Sequence, residues 1–188
     1  MNFLAHFYLS GTSESLIVGN FLGDMVRKVE WKNYPTEIVE GIKMHQHIDM
    51  FTDSHPIIKK HKALLAPKHK HFSGVILDIF YDYFLANSWT HYHGIELPIY
   101  ADWVYQTLGK HEQVYTKKAL MAFSHMRKHN WLTAYASFEG TDQVLKGMAQ
   151  RTKFKSEMDT SILDLHKHYD IMNEDFSIFF EELKREVL

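Results

Sequence analysis

The stretch Gly74-Val-Ile-Leu-Asp-Ile-Phe-Tyr-Asp-Tyr-Phe-Leu-Ala86 constrains the fold of this chain more than any other. Its Ile, Leu, Phe and Tyr content predicts a buried helix, yet it carries Asp78 and Asp82 four residues apart. Side chains at that spacing lie on one helix face, one turn above the other. Desolvating two carboxylates in an apolar setting costs on the order of several kcal/mol unless something positive compensates them. No Lys or Arg lies in the stretch. Either a metal cation supplies the compensation, or the two aspartates reach solvent at a rim or cap backbone groups. Buried carboxylates gather at working sites, which makes the metal the sharper expectation.

The rest of the chain surrounds such a core with more helix. Proline and glycine are sparse, and apolar residues recur at three-and-four spacing over long windows. A short helix is expected over Asn2–Leu9, and a second, capped by Ser13 or Ser15, through Val26. A third opens at Pro35 and stops before Pro56, since the residue preceding proline avoids helical torsions. A basic fourth segment over Ile57–Leu65 should break at Pro67. Leu97–Leu108, Ala119–His129, Trp131–Phe138 and Val144–Met148 suggest further short helices, and about Ser156–Val187 one long amphipathic helix. With 188 residues and no linker or repeat, residues 1–188 are expected to form one all-α domain, burying roughly 70% of the surface of the unfolded chain.

Cysteine is absent, which excludes disulfides, thiolate metal sites and thiol nucleophiles. The net charge of -2 favours neither nucleic acid nor a membrane surface as partner. No apolar run of about 18 residues and no leader pattern are present, so a cytoplasmic protein is expected. Phosphate-binding loops, the dinucleotide fingerprint, the serine-hydrolase elbow, His-Glu-x-x-His and Glu-x-x-His are all missing.

Polar ladders at i, i+4 recur instead: Asn2 with His6, Asn20 with Asp24, His45 with Asp49 (continued by Asp53), and Asp78 with Asp82. Each alone is weak, since a lone buried histidine or asparagine is more often a hydrogen-bonded core residue than a ligand. Together His45, Asp24, Asp49, Asp78 and Asp82 offer one imidazole and four carboxylates. That mix suits Mn²⁺, Mg²⁺ or Fe²⁺. A cation held there would lower the pKa of a bound water, and hydrolysis of a phosphate ester is the natural use. Gly19-Asn-Phe-Leu-Gly23 has the spacing of close helix packing. Lys59–His71 holds five lysines and no acidic residue, either a solvated face or a docking surface for an acidic partner.

Several ordered stretches resemble the acyl carrier protein phosphodiesterase family: Met1-Asn-Phe-Leu-Ala-His6, Gly19-Asn-Phe-Leu-Gly-Asp24, Gly41-Ile-Lys-Met-His-Gln-His-Ile-Asp49, Phe51-Thr-Asp-Ser-His-Pro56 and Leu77-Asp-Ile-Phe-Tyr-Asp-Tyr-Phe-Leu85. The likeness continues through Trp131-Leu-x-x-Tyr135 and Leu145-x-Gly-Met-x-x-Arg151. It implies an HD-like helical bundle and an Mn²⁺-dependent hydrolase that removes 4′-phosphopantetheine from the serine of holo-acyl carrier protein. It also implies Asp24, His45, Asp49 and Asp82 as metal ligands. Asp78, Asp53 and His6 would act beside the metal in catalysis, and Asn20 in orienting substrate. Lys59, Lys60 and Lys62 would steer the acidic carrier protein. Two departures from the family's pattern stand out: Tyr83 replaces a histidine after Asp82, and Gln46 replaces an arginine after His45. The rival expectations are an HD-like phosphohydrolase of a small nucleotide or other phosphate ester, and a non-catalytic module that binds an acidic protein.

Overall fold

The computed structural model describes residues 1–152 and 156–188. Twelve α-helices occur among them: α1 Phe3–Leu9, α2 Glu14–Leu22, α3 Thr36–Ser54, α4 Pro56–His69, α5 Ser73–Asn87, α6 Trp89–Tyr92, α7 Leu97–Gly109, α8 Lys117–Lys128, α9 Trp131–Ala134, α10 Phe138–Arg151, α11 Ile162–Lys167 and α12 Tyr169–Val187. No strand forms among the described residues. The fold is an all-α single domain, and no described helix is long and apolar enough to cross a membrane.

The apolar stretch is α5, and it is the hub. Ile76, Leu77, Ile79, Phe80, Tyr81, Phe84 and Leu85 are sealed from solvent. Around it pack α1, α4, α6, α10 and α12. Tyr81 and Phe84 meet Phe176 of α12 at 5.3 and 5.7 Å, while Tyr83 meets Phe138 of α10 at 4.9 Å. Burying each such ring stabilises the fold by roughly 1.5–3 kcal/mol.

A second seam joins α2 to α3. A Cβ on Gly19 would lie 2.2 Å from the Ile38 carbonyl oxygen and 2.6 Å from the Gly41 Cα. Only paired glycines let the two backbones come this close. Ser13 caps α2, as expected from the sequence, and Thr116 and Ser137 likewise cap α8 and α10.

The helical pattern differs from expectation at several places, among them the segment expected over Trp131–Phe138, whose helix α9 ends at Ala134. α2 stops at Leu22, before Val26, because Gly23 and the turn after it make room for a histidine described below. α4 runs through Pro67 to His69. Its last turn is anchored by Lys68 and His69, which hold Asp164 at 2.9 and 2.8 Å, so tertiary contacts override the proline. The expected long carboxy-terminal helix is two, α11 and α12, parting at His168. On α11, Asp164 turns toward α4 and His166 stacks on Phe138 at 4.0 Å. Likewise α10 begins at Phe138 and absorbs the segment expected only from Val144.

Candidate metal centre

The centre forms where α1, α2 and α3 meet. His6 (α1), His45 and Asp49 (both α3) each offer a ligand atom, and these atoms all lie within 4.8 Å of one another. Both histidines are buried, their rings stacked at 4.1 Å. His45 enters the space left by Gly23, where a Cβ would sit 2.1 Å from its Cγ. Asp49 lies one helical turn beyond His45, with Oδ2 3.1 Å from His45 Nε2 and Oδ1 3.2 Å from His6 Nε2. Neither contact is aligned as a hydrogen bond, and both Nε2 atoms are buried without a partner, as is His45 Nδ1.

The tautomer of His6 follows from its other nitrogen. Ser10 Oγ donates to the His6 carbonyl at 2.9 Å and accepts from Asn20 Nδ2 at 2.8 Å. That fixes the Asn20 amide, whose Oδ1 lies 2.9 Å from His6 Nδ1. An amide oxygen can only accept, so Nδ1 carries the proton and a neutral His6 presents a bare lone pair at Nε2. Burial holds the His6 pKa below its ordinary value, against the pull of Asp49, and the neighbouring His45 lowers it further. A lone pair facing a carboxylate oxygen at 3.2 Å is mutually repulsive. A cation between them resolves the conflict, so the donor set fits a metal ion.

The charges support the same arrangement. Burial disfavours a charged His45, but Asp24 and Asp49 outweigh it and push its pKa up to about 9. Asp49 is held well below the usual carboxylate range: burial works against ionisation, and His45, His6 and the Met1 amino group overcome it. Asp24 is lowered chiefly by His45, whose Nε2 is 3.5 Å away. Its side chain is 80% exposed, so it stands at the mouth rather than within.

The remaining expected residues fall in different places. Asp78 is partly exposed, with Oδ1 3.1 Å from the Met1 amino group, which also lies 3.7 Å from Asp49. Asp82 is fully buried and does not join the trio. Its oxygens accept the amides of Leu4 and Ala5 at 2.8 and 3.2 Å, serving the first turn of α1, and burial pushes its pKa up to about 7 against those amides. Asp53 is 70% exposed and pairs with Lys62 at 2.6 Å. Lys60 is paired with Asp175 at 2.7 Å, and Lys59 is exposed with no carboxylate partner among the described residues. Tyr83 packs on Phe138 and Tyr169, and Gln46 is exposed. Ser10 was not singled out from sequence; Gly23 was read only as a close-packing glycine, and His6 as a group acting beside the metal rather than a ligand.

The fold and its centre thus define an all-helical protein whose buried imidazole–carboxylate group can hold a metal ion. Its lineage is explicit in the sequence. The chain belongs to the acyl carrier protein phosphodiesterase family, whose model matches residues 1–183. The acyl carrier protein phosphodiesterase of Photorhabdus laumondii subsp. laumondii is 31% identical over 170 residues, covering 90% of this chain and 86% of that protein. The Yersinia pestis enzyme of the same name is 29% identical over 187 residues, 99% of this chain and 97% of the relative. That of Enterobacter sp. is 30% identical over 184 residues, 97% and 95%. No solved structure matches the chain.

Proposed function

We propose that this protein hydrolyses the phosphodiester joining 4′-phosphopantetheine to the serine of holo-acyl carrier protein, with a divalent cation, Mn²⁺ in the first instance, at His6, His45 and Asp49. The observation that carries the metal reading is the bare His6 Nε2 aimed at a carboxylate and held so by Asn20 and Ser10. The names of the relatives carry the substrate. Bound there, the cation would neutralise carboxylate charge, polarise a phosphoryl oxygen and acidify water.

The protein's own groups divide the remaining work. His6 and His45 serve as neutral donors, and Asp49 bridges them from below. Asp24, ionised and open to solvent at the mouth, is placed to accept a proton from water. Asp78, partly exposed and paired with the Met1 ammonium, holds that ammonium beside Asp49. The proton for the departing serine oxygen would come from water acidified by the metal. Asp82 holds α1, and so His6, in position through the Leu4 and Ala5 amides. The HD-like arrangement implied by the family likeness belongs to this same reading.

Incubation of holo-carrier protein with the protein and Mn²⁺ tests it, reading released phosphopantetheine by mass spectrometry. Release is expected, together with its loss in His45→Ala and Asp49→Ala variants whose helical content by circular dichroism is unchanged. Intact holo protein, under conditions where the Yersinia pestis relative acts, would overturn the substrate. Turnover of a panel of small phosphate esters in that case would move the activity to another member of the same chemical class.

A further inference from the structure

The lysine-rich α4 has few cations free for a partner. Lys60 grips Asp175, Lys62 grips Asp53 and Lys68 grips Asp164, all at 2.6–2.9 Å. The free positive charge lies on another helix. From Gln113 to Phe138 the chain has no Asp or Glu, and it carries Lys117, Lys118, Arg127 and Lys128 with His125 and His129. These side chains are exposed, and no carboxylate pairs with any of them among the described residues. Glu112 and Asp102 line the depressions that Arg127 borders, yet neither forms an ion pair with it.

On α8, Lys117, Met121, Ser124 and Lys128 follow at spacings of four, three and four, so they form one outward stripe. Its charged ends are about 16 Å apart at the rise of an α-helix. Met121 at its centre is 66% exposed and Leu120 beside it 38%. An apolar centre between two cationic ends matches a protein surface better than a phosphate backbone, which offers charge without an apolar counterpart. α8 itself reaches the mouth of the metal centre beside this stripe: Lys118 Nζ donates to the Asp24 carbonyl oxygen at 2.8 Å.

We propose that the outward face of α8, and not α4, is the docking surface for an acidic protein partner. Its acidic side chains meet Lys117 and Lys128, and an apolar patch between them covers Met121. In taking that partner to be a carrier protein, the inference rests on the function proposed above. Docked there, the partner would present its serine at the Asp24 mouth.

Binding of fluorescently labelled apo-carrier protein, which has no arm to hydrolyse, reads docking separately from turnover. The wild-type protein is expected to bind, and more weakly as salt rises from about 0.05 M to about 0.3 M. The K117E/K128E variant is expected to bind about tenfold or more weakly, and Met121→Ser to weaken binding at every salt concentration. Lys59→Glu on α4 is expected to leave binding unchanged. With holo-carrier protein, the double variant should raise KM and leave kcat near wild type. Equal binding by wild type and double variant, or no binding by wild type, would overturn the docking surface. A mixed-sequence oligonucleotide binding as tightly, with the same loss in the variant, would overturn a protein as its occupant. If carrier protein binds through α8 but holo protein is never hydrolysed, the docking surface stands and the proposed reaction falls.

Discussion

A proton's location on one imidazole decides what the centre can hold. Ser10 fixes the Asn20 amide, Asn20 fixes the His6 tautomer, and the tautomer leaves Nε2 as a donor. Asn20→Ala removes the acceptor that faces His6 Nδ1. It should weaken Mn²⁺ binding by about 10–100-fold, as loss of an orienting partner does. Titration calorimetry on the purified variant checks this, and an unchanged affinity would show that the tautomer is set elsewhere. His45 gives the pH dependence. Without metal, the Asp24 and Asp49 carboxylates keep it protonated up to about pH 9, and a ligating imidazole must lose that proton. Metal affinity should therefore tighten as pH rises toward 9, by about tenfold per unit while one proton leaves, and level off above. Affinities measured from about pH 6.5 to about pH 9.5 give that slope. His45 and Asp49 were legible in the sequence because one helix fixes their spacing. The roles of His6 and Asp82 were not, because they depend on how α1 docks against α5, which no spacing within a helix reports.

Between elements, α4 is fastened to the carboxy-terminal helices by two Lys-His pairs eight residues apart. Lys60 and His61 hold Asp175, and Lys68 and His69 hold Asp164. His61 also accepts the Tyr81 hydroxyl at Nδ1, 2.8 Å away in the sealed core. Its pKa is lowered by burial first, and by Lys60 and His168, against the pull of Asp175. A histidine less basic folded than unfolded contributes stability that is lost as pH falls below the unfolded value of about 6.5. Asp164 and Asp175 are depressed by their Lys and His partners despite burial, so their share is lost as pH falls below about 4. Asp82, raised to about 7, gains stability over the same range as His61 loses it. The His61 share is therefore read as the difference in urea midpoint between the protein and a His61→Gln variant. That difference should shrink from about pH 7 to about pH 5. Tyr81→Phe should cost about 1–3 kcal/mol near neutrality by leaving Nδ1 bare. A difference between the protein and His61→Gln that does not change with pH would refute the role given to His61. The lysine run was visible in the sequence, but its partners lie about a hundred residues away on helices whose break at His168 no local signal marked. Hence a face that reads as free turns out to be bonded.

At the scale of the molecule, the all-α class and the central apolar helix were readable from periodicity and the scarcity of proline. The order of packing was not, since the glycine seam and the aromatic contacts on α5 join distant segments. Asp82 shows what the hub does. Replacing it by Ala strands two buried amides, which should lower the unfolding free energy by about 1–3 kcal/mol for each, with Asp82→Asn costing less because one acceptor survives. Equal losses in the two variants, measured by urea unfolding, would remove that role. The seam between α2 and α3 carries a further consequence. Gly19 against the backbone of Gly41, and Gly23 leaving room for the His45 side chain, set the spacing of the centre before any ion arrives. A chelator should therefore strip the protein to a folded shell that reloads on demand, in contrast to small domains that collapse when their metal leaves. The helices act as a mould cast in advance.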